Sequence, residues 1–424
     1  MLYVRAQDMK GMSLDAMKRS FFKGLDAIGK RERVLLVPPD ITRLHGLGGT
    51  LACWAVEYYG SAVKEILPAL GTHVPMTDEE LDIMYPGVDK SLFAVHDWRN
   101  DVVTIGTVPA EEIERLSEGK LSYPWKAEVN RRLVSGGYDL VLSLGQVVPH
   151  EVIGMANYSK NIFVGTGGSE GINKSHYLGA VYGMERIMGR TDSPVRAVLD
   201  YAQEHFAKDI PLVYALTVVG RDSTGAMKGM GLFVGSDRSC YEEACKLSLK
   251  VNFAMVDEPL KKVVVYLDPG EFRTTWLGNK SIYRTRMAIA DDGELIVLAP
   301  GIARFGEDSE IDKLIRKYGY KGTPAVLAAV AENDDLKANL SAAAHLIHGS
   351  SEGRFTIRYC PGKMTKQEVE QVGYVYGDLD SMLKEYPVES LKDGYNVSAS
   401  GERFFYISNP AVGLWAHAGR FDAS

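Results

Sequence analysis

Three histidines lie in turn-rich stretches close to apolar runs that are typical of buried strands: His45, His73 and His150. Imidazole titrates near neutral pH, so each could accept or donate a proton during catalysis. A single histidine is more often a structural hydrogen-bonding group, but several in the loops of one domain favour a catalytic role. We expect structural roles for the histidines in surface-like or helical contexts, which are His96, His205, His345, His348 and His417.

Asp40 and Arg43 lie three positions apart in the segment PPDITR, directly after the apolar run VLLVP. A planar guanidinium can clamp a carboxylate or a phosphate, while the aspartate could hold a ligand hydroxyl or orient the arginine. The structural alternative is a local Asp–Arg pair that caps a turn. Both readings place polar groups at the end of a predicted strand.

The stretch from Gly145 to His176 combines two histidines, two lysines and a glycine-rich loop, and it follows the apolar run DLVLSLG. Open α/β sheets bind ligands at the carboxyl ends of their strands, so this position favours a site. The loop GTGGSEGINKS matches neither the P-loop nor the dinucleotide-binding pattern, although its backbone N–H groups could approach an anion. A flexible connection is the alternative. His150 and His176 could supply two metal ligands, and no close-spaced third ligand is evident.

The order of predicted elements indicates an α/β fold. Apolar runs at 33–37, 102–108 and 139–144 predict strands, and the spacing of apolar residues predicts helices over 51–67 and 124–135. The alternation begins again at 261–268 and 294–301. We therefore predict two α/β domains, residues 1–257 and 258–424, with an active-site cleft between them and with the last residues as candidates to pack back on the first domain.

Composition excludes several classes of protein. The net charge of −7 argues against nucleic acid or an anionic membrane as the main partner. No apolar run approaches the roughly 20 residues that span a bilayer, and the first twenty residues lack the apolar core of a signal peptide. The four cysteines show no CxxC spacing and are expected to be core residues in a reducing cytoplasm.

Four segments together resemble the nickel-dependent lactate racemase family: PPDITR, GTHVPMTDEEL, PHEVIGMANYSK and NKSH. That family shows a DxTR element, then GTHxxMxxEE, then PHxxxGxxxxxK, and a further histidine twenty-six positions after the PH histidine. All four elements occur here in order and in register. The resemblance is strongest over residues 33–180 and extends weakly through the second domain.

The resemblance implies a cofactor and a role for each matching residue. Members of the family bind a nickel-pincer nucleotide, which can be attached covalently to the lysine that matches Lys160. His176 matches the histidine that completes nickel coordination, and His73 and His150 match the two acid/base histidines. Asp40 and Arg43 match residues of the crevice that holds cofactor and substrate, and three loop glycines are expected beside the cofactor phosphate: Gly165, Gly167 and Gly168.

The sequence departs from the family pattern where the substrate binds. The lactate enzymes carry a glutamine three positions before a second-domain lysine, whereas here Leu277 precedes Lys280. Leu44, which His45 follows, stands where the family has a proline after DxTR. The pocket wall therefore differs, and the substrate is open between lactate and a larger hydroxy acid. Trp276 is a candidate to line such a pocket, next to Arg43 and Lys280 as carboxylate-binding residues. The alternative for Trp276 is an ordinary core position.

These observations predict a racemase or epimerase of a 2-hydroxy acid, which works by transient hydride transfer to the nickel-pincer nucleotide. The expected partners are this small substrate and the proteins that make the cofactor. Two alternatives stay open. One is a metal-dependent hydrolase or lyase that uses His73, His150 and His176, and the other is a non-catalytic protein that binds a nucleotide or a hydroxy acid.

Overall fold

The computed structural model describes residues 1–222, 225–411 and 413–421. The chain divides into two compact units, Met1–Leu178 with Met188–Asn252, and Gly179–Ile187 with Phe253–Ser424. The sequence predicts a domain boundary after Asp257, and the division of the structure comes after Asn252. The structure also assigns the segment 179–187 to the second unit.

The first unit is built on a six-stranded sheet. The strands of this unit are β1 (Leu2–Arg5), β2 (Val34–Val37), β3 (Val63–Ile66), β4 (Val102–Val108), β5 (Trp125–Asn130), β6 (Leu140–Gln146), β7 (Pro149–His150), β8 (Gly154–Met155), β9 (Leu212–Arg221) and β10 (Met227–Gly235). The sheet has the order β1-β10-β9-β6-β2-β3. Strands β9, β6, β2 and β3 run parallel, and β10 and β1 complete the sheet in antiparallel pairings. Strands β4 and β5, and likewise β7 and β8, form separate antiparallel pairs.

Helices connect these strands, as expected for an α/β fold. They are α1 (Leu14–Ile28), α2 (Gly48–Tyr59), α3 (Asp78–Met84), α4 (Ala110–Leu116), α5 (Arg131–Ser135), α6 (Ser159–Phe163), α7 (Ser169–Tyr182), α8 (Pro194–Phe206) and α9 (Arg238–Asn252), with 3₁₀ turns at Ile41–Gly46, Gly60–Ala62, Lys90–Leu92 and Met184–Arg186. The capping box of α3 is present: Thr77 accepts from the Glu80 backbone N–H, and the Glu80 side chain accepts from the Thr77 backbone N–H.

Strand β2 shows why the central strands have continuous apolar sequences. Leu35 and Val37 lie in one hydrophobic cluster, and Val34 and Leu36 lie in another on the opposite face of the sheet. All four side chains are fully buried. A parallel strand that is covered on both faces loses the alternation of polar and apolar residues, and this explains the run VLLV.

Two helix predictions are wrong in part. The helix predicted over 51–67 ends at Tyr59, because Gly60 adopts a positive φ of 52°, and 63–66 forms strand β3 instead. The segment predicted as helix over 124–135 is strand β5 up to Asn130 and helical only over Arg131–Ser135. Its buried residues alternate (Trp125, Ala127, Val129), which is the period of a strand.

The second unit repeats the α/β principle with a sheet of its own. Its strands are β11 (Phe253–Val256), β12 (Leu260–Tyr266), β13 (Ile289–Ala299), β14 (Thr356–Pro361), β15 (Val375–Tyr376), β16 (Gly394–Val397), β17 (Arg403–Ile407) and β18 (Leu414–His417). Six of them form the sheet β15-β14-β13-β12-β17-β16, which is parallel except for β16. Strand β18 pairs in parallel with β11. The prediction of two α/β domains is confirmed as a fold class.

The helices of the second unit are mostly short. They are α10 (Thr275–Gly278), α11 (Lys280–Tyr283), α12 (Ser309–Tyr318), α13 (Thr323–Glu332), α14 (Asp334–Ala338), α15 (Leu340–His348), α16 (Lys366–Gln371), α17 (Leu379–Glu385) and α18 (Ala418–Phe421), with a 3₁₀ turn at Val388–Ser390. Among all the helices that the structure describes in this chain, none is both long enough and apolar enough for a membrane crossing.

Three neighbouring parallel strands of the first unit determine where the predicted site residues lie. Strand β2 ends at Val37, before Asp40; β3 ends at Ile66, before His73; and β6 ends at Gln146, before His150. The strands are adjacent in the order β6-β2-β3, so their carboxyl ends meet at one edge of the sheet. Side chains that are distant in sequence are thereby collected at this edge.

Candidate active site

Asp40 and His73 form a hydrogen-bonded pair at this edge. Asp40 begins the 3₁₀ turn Ile41–Gly46, and its Oδ1 accepts from the backbone N–H and the hydroxyl of Thr42. Its Oδ2 lies 2.5 Å from His73 Nδ1. Since a carboxylate accepts this bond, Nδ1 carries the hydrogen and Nε2 of the neutral ring keeps its lone pair. The His73 side chain is 48% exposed, so Nε2 can meet a substrate as a base.

The surroundings of Asp40 keep it ionised. Burial would raise the pKa of this carboxyl group, but the hydrogen bonds from His73 and Thr42 and the charge of Arg43 outweigh burial, and the pKa lies below its ordinary value. The aspartate therefore both caps the turn and orients His73. Neither the sequence motif nor its spacing distinguished this pairing from an Asp–Arg pair. His45 lies in the same turn and is exposed.

His150 lies in different surroundings. It ends strand β7 in the small β7–β8 pair, opposite Gly154, and only 5% of the residue is exposed. Its Nδ1 accepts from the Val152 backbone N–H at 3.2 Å, so the neutral ring carries its hydrogen on Nε2. Burial lowers the pKa of His150 well below its ordinary value; the charge of Glu151 opposes this effect, and those of Lys160 and Arg43 reinforce it.

Glu151 is a residue of this region that the sequence analysis missed. Its carboxylate lies 3.7 Å from His150 Nδ1, and its charge raises the pKa values of His150, Lys160 and His176 against the effect of burial. It is the acidic neighbour common to all three groups. Its position directly after His150 was the only signal in the sequence.

Lys160 lies in the first turn of α6 and is partly buried. Burial lowers the pKa of Lys160 to about 8, and the charge of Arg43 acts in the same direction. A substantial share of this amine is therefore uncharged at neutral to slightly alkaline pH. An uncharged amine is the nucleophilic form that a covalent attachment requires.

His176, in the middle of α7, has the tautomer that a metal ligand needs. Its Nδ1 donates to the Ile172 carbonyl at 2.7 Å, which leaves the Nε2 lone pair available. Burial lowers the pKa of His176 to about 4; this hydrogen bond opposes the shift, and the charge of Lys160 reinforces it. The ring is therefore neutral at physiological pH, as metal coordination requires. Within the described ranges, no three His, Cys, Asp or Glu side chains are grouped so that they could hold a metal ion by themselves.

The glycine-rich loop is closely packed. A Cβ at Gly165 would lie 2.4 Å from the Asn161 carbonyl oxygen, one at Gly167 2.0 Å from the Phe163 carbonyl oxygen, and one at Gly168 2.2 Å from the carboxylate of Glu128. His96, as expected for a structural histidine, is buried and bonds through Nε2 to the Gly167 carbonyl at 3.0 Å. Close packing thus explains why these three positions are glycine. Their contact with a cofactor stays a prediction.

The two predicted substrate residues of the second unit lie on short helices after strand β12. Trp276 in α10 and Lys280 in α11 are both partly exposed. The Trp276 ring lies 4.4 Å from that of His345, and Lys280 Nζ lies 5.7 Å from the centre of the Phe272 ring. Their contact with a substrate stays a prediction.

The first unit therefore brings together most of the predicted site. Asp40 and His73 share a hydrogen bond, and the charge of Arg43 acts on Asp40, His150 and Lys160 alike. Lys160 in turn acts on His176. Two imidazoles of opposite tautomer, an amine with a lowered pKa and a third imidazole that donates from Nδ1 are thus concentrated in one region.

Comparison with known proteins concerns the matched domain and the fold. Residues 22–187 match the family model of the lactate racemase N-terminal domain. A crystal structure of a protein from Thermotoga maritima superposes with a TM-score of 0.80 at 23% identity, covering 98% of this chain and 100% of that chain. The lactate racemase apoprotein from Thermoanaerobacterium thermosaccharolyticum superposes with a TM-score of 0.69 at 17% identity, covering 98% of this chain and 94% of that chain. No curated protein matches the chain. Residues 22–187 are thus similar to the N-terminal domain of lactate racemases, and the fold of the chain is similar to that of a lactate racemase apoprotein.

Proposed function

We propose that this protein is a racemase or epimerase of a 2-hydroxy acid that uses a nickel-pincer nucleotide. The observation that carries the proposal is that two histidines at one sheet edge bear their hydrogens on different ring nitrogens. His73 offers a lone pair at Nε2, because Asp40 holds its Nδ1–H, and His150 offers a hydrogen at Nε2, because its Nδ1 accepts from Val152. Inversion of a carbinol centre needs one group that takes the hydroxyl proton and another that returns it on the opposite face.

The residues present fit such a cofactor. His176 Nε2 would be a nickel ligand, since imidazole suits late divalent metals, and the uncharged form of Lys160 would form the covalent attachment. When bound, the cofactor supplies a hydride acceptor, so that no weakly acidic proton beside a carboxylate has to be removed. The proteins that make the cofactor would be the partners of this chain.

The protein side chains would supply binding and proton transfer. Arg43 would hold the substrate carboxylate in its planar fork, assisted by Lys280. His73 would remove the hydroxyl proton of one enantiomer while Asp40 stabilises the imidazolium that results. His150 would protonate the oxygen of the other enantiomer from its imidazolium form and so return to the neutral ring, with the Glu151 carboxylate 3.7 Å from Nδ1 to stabilise that cation. With Leu277 at the position where lactate enzymes carry glutamine, and with Trp276 beside it, the substrate would be a hydroxy acid with an apolar or larger side chain.

The direct test is racemisation by protein that was co-expressed with the cofactor-making enzymes. We expect loss of optical activity with at least one member of a panel of 2-hydroxy acids that runs from lactate to aryl-substituted and sugar acids. Metal analysis of the same preparation should find nickel together with a sulfur-containing nucleotide. Failure on every acid by protein with proven cofactor content would refute the proposed activity, and zinc without the nucleotide would favour a metal-dependent hydrolase or lyase.

Covalent attachment has a separate test. Intact-protein mass spectrometry of the loaded protein should show an increment that Lys160→Ala abolishes. Lys174→Ala is the matched control, because Lys174 flanks the same loop but is held by Glu170 at 2.6 Å. An increment that persists in Lys160→Ala would show that another residue carries the attachment.

A further inference from the structure

The turn that leads into Lys160 has an unfavourable backbone conformation. Asn157 and Tyr158 both have positive φ values, 66° and 57°, and Tyr158 is the residue directly before helix α6. Asparagine tolerates this region, but a bulky tyrosine rarely adopts it. Such a conformation persists only where the surrounding structure imposes it.

Arg196 of helix α8 supplies much of that surrounding structure. The residue is fully buried. Its Nη2 donates to the carbonyl oxygens of Met155 at 2.7 Å and Asn157 at 3.1 Å, and its Nη1 donates to Ser159 Oγ at 2.7 Å. One planar guanidinium therefore bonds to every second residue of the turn, Met155, Asn157 and Ser159. Ser159 directly precedes Lys160.

The guanidinium is itself fixed from the other side. It lies 4.2 Å from the centre of the Tyr241 ring and 5.9 Å from that of Tyr158. Asp200 accepts from Ser159 Oγ at 2.6 Å and from Arg238 Nη1 at 2.5 Å, and it lies 3.9 Å from Arg196 Nη1. A buried charge with aromatic faces, carbonyl groups and a carboxylate around it has one orientation available.

We propose that Arg196 is a positioning residue that holds the turn from Met155 to Ser159 in the conformation that presents Lys160. This role rests on the proposed function in so far as Lys160 is the attachment point of the cofactor. Arg196 would affect Lys160 only through the conformation of the turn. It lies outside the four sequence segments that resemble the lactate racemase family. The sequence of helix α8 predicts only that position 196 is buried, and it does not indicate this role for an arginine.

The test measures backbone hydrogen exchange in the cofactor-free protein, so its result does not depend on the proposed function. Arg196→Met keeps the length of the side chain but removes the three donated hydrogen bonds. We expect exchange over 155–161 to become at least tenfold faster, while exchange in strand β6 stays within about twofold of the original protein. Arg196→Lys, which can hold only part of the turn, should give an intermediate value and also serves if Arg196→Met does not fold.

Arg238→Met is the matched control, because Arg238 contacts the same Asp200 but does not contact the turn. It should leave exchange over 155–161 unchanged. In protein loaded with cofactor, the fraction that carries the mass increment on Lys160 should fall at least fivefold for Arg196→Met and stay unchanged for Arg238→Met. Exchange within twofold of the original protein in both Arg196 variants would overturn the proposal. Faster exchange without any increment in the original protein would leave the positioning role intact and reject covalent attachment.

Discussion

The two histidines that follow β3 and β6 lie in opposite surroundings although both come from loops at one sheet edge. The His73 side chain is 48% exposed and that of His150 is 7% exposed. A carboxylate fixes the hydrogen of His73 on Nδ1, whereas a backbone N–H fixes the hydrogen of His150 on Nε2. In their neutral forms His73 therefore presents a lone pair at Nε2, whereas His150 presents an N–H donor there. The difference shows that two identical side chains obtain opposite tautomers from their hydrogen-bond partners alone.

The largest effect should come from removing either imidazole. His73→Asn and His150→Asn should each lower turnover of the preferred 2-hydroxy acid by about 10²–10⁴-fold, the usual contribution of a general acid or base. Polarimetry of loaded protein measures this loss, and an unchanged Lys160 mass increment controls for cofactor content. If one variant kept turnover within about threefold of the original protein, that histidine would not be part of the acid/base pair.

A smaller loss is expected when only the partner of His73 is changed. Asp40→Asn replaces an acceptor that fixes the tautomer by an amide that can donate, so turnover should fall by about 10–100-fold, the range found for groups that orient metal-bound imidazoles. Thr42→Val is the control, because it removes one hydrogen bond to Asp40 but leaves that with His73. Equal losses in both variants would mean that the turn, rather than the tautomer, is what Asp40 provides.

The effect of the Arg43 charge near His150 can be measured from the pH dependence of Lys160 acylation. Since the uncharged amine reacts, acylation of Lys160 in cofactor-free protein should rise with pH around a midpoint of about 8. Arg43→Gln should move this midpoint upward, because it removes a nearby positive charge. Lys90, whose pKa is raised by its hydrogen bond with Asp82, is an internal reference in the same digest. An unchanged midpoint in Arg43→Gln would show that the charge of Arg43 does not act on Lys160.

The smallest effect concerns stability toward acid. The pKa of His150 is lowered in the folded protein, so below its ordinary value of 6.5 the unfolded chain binds a proton that the folded chain does not. Stability is therefore fully present above about pH 6.5 and is lost as pH falls toward the folded pKa. His150→Gln should reduce the drop in Tm between about pH 7.5 and 5.5, measured by scanning calorimetry. A drop of unchanged size would show that His150 is not held neutral by burial.

The sequence alone was sufficient for the fold class and for the list of candidate residues. Continuous apolar runs such as VLLV and LVLSLG identified central strands, because strands that are covered on both faces have no polar positions. The helix prediction was wrong at 63–66 and 125–130, which are short strands next to helices. In such short segments the spacing of apolar residues does not distinguish the period of a strand from that of a helix. Glu151 and Arg196 were missed because neither has a distinctive pattern around it.

Residue type and order along the chain thus determined which groups were available: three neighbouring strand ends with Asp40, His73 and His150, and a later lysine and histidine. Only the tertiary structure decided the hydrogen-bond partners and the burial of each group. Parallel pairing in the order β6-β2-β3 brought the strand ends to one edge, and the contacts made there set each tautomer and each pKa direction. Hydrogen bonds and burial depend on neighbours that are distant in sequence, and no local pattern records them.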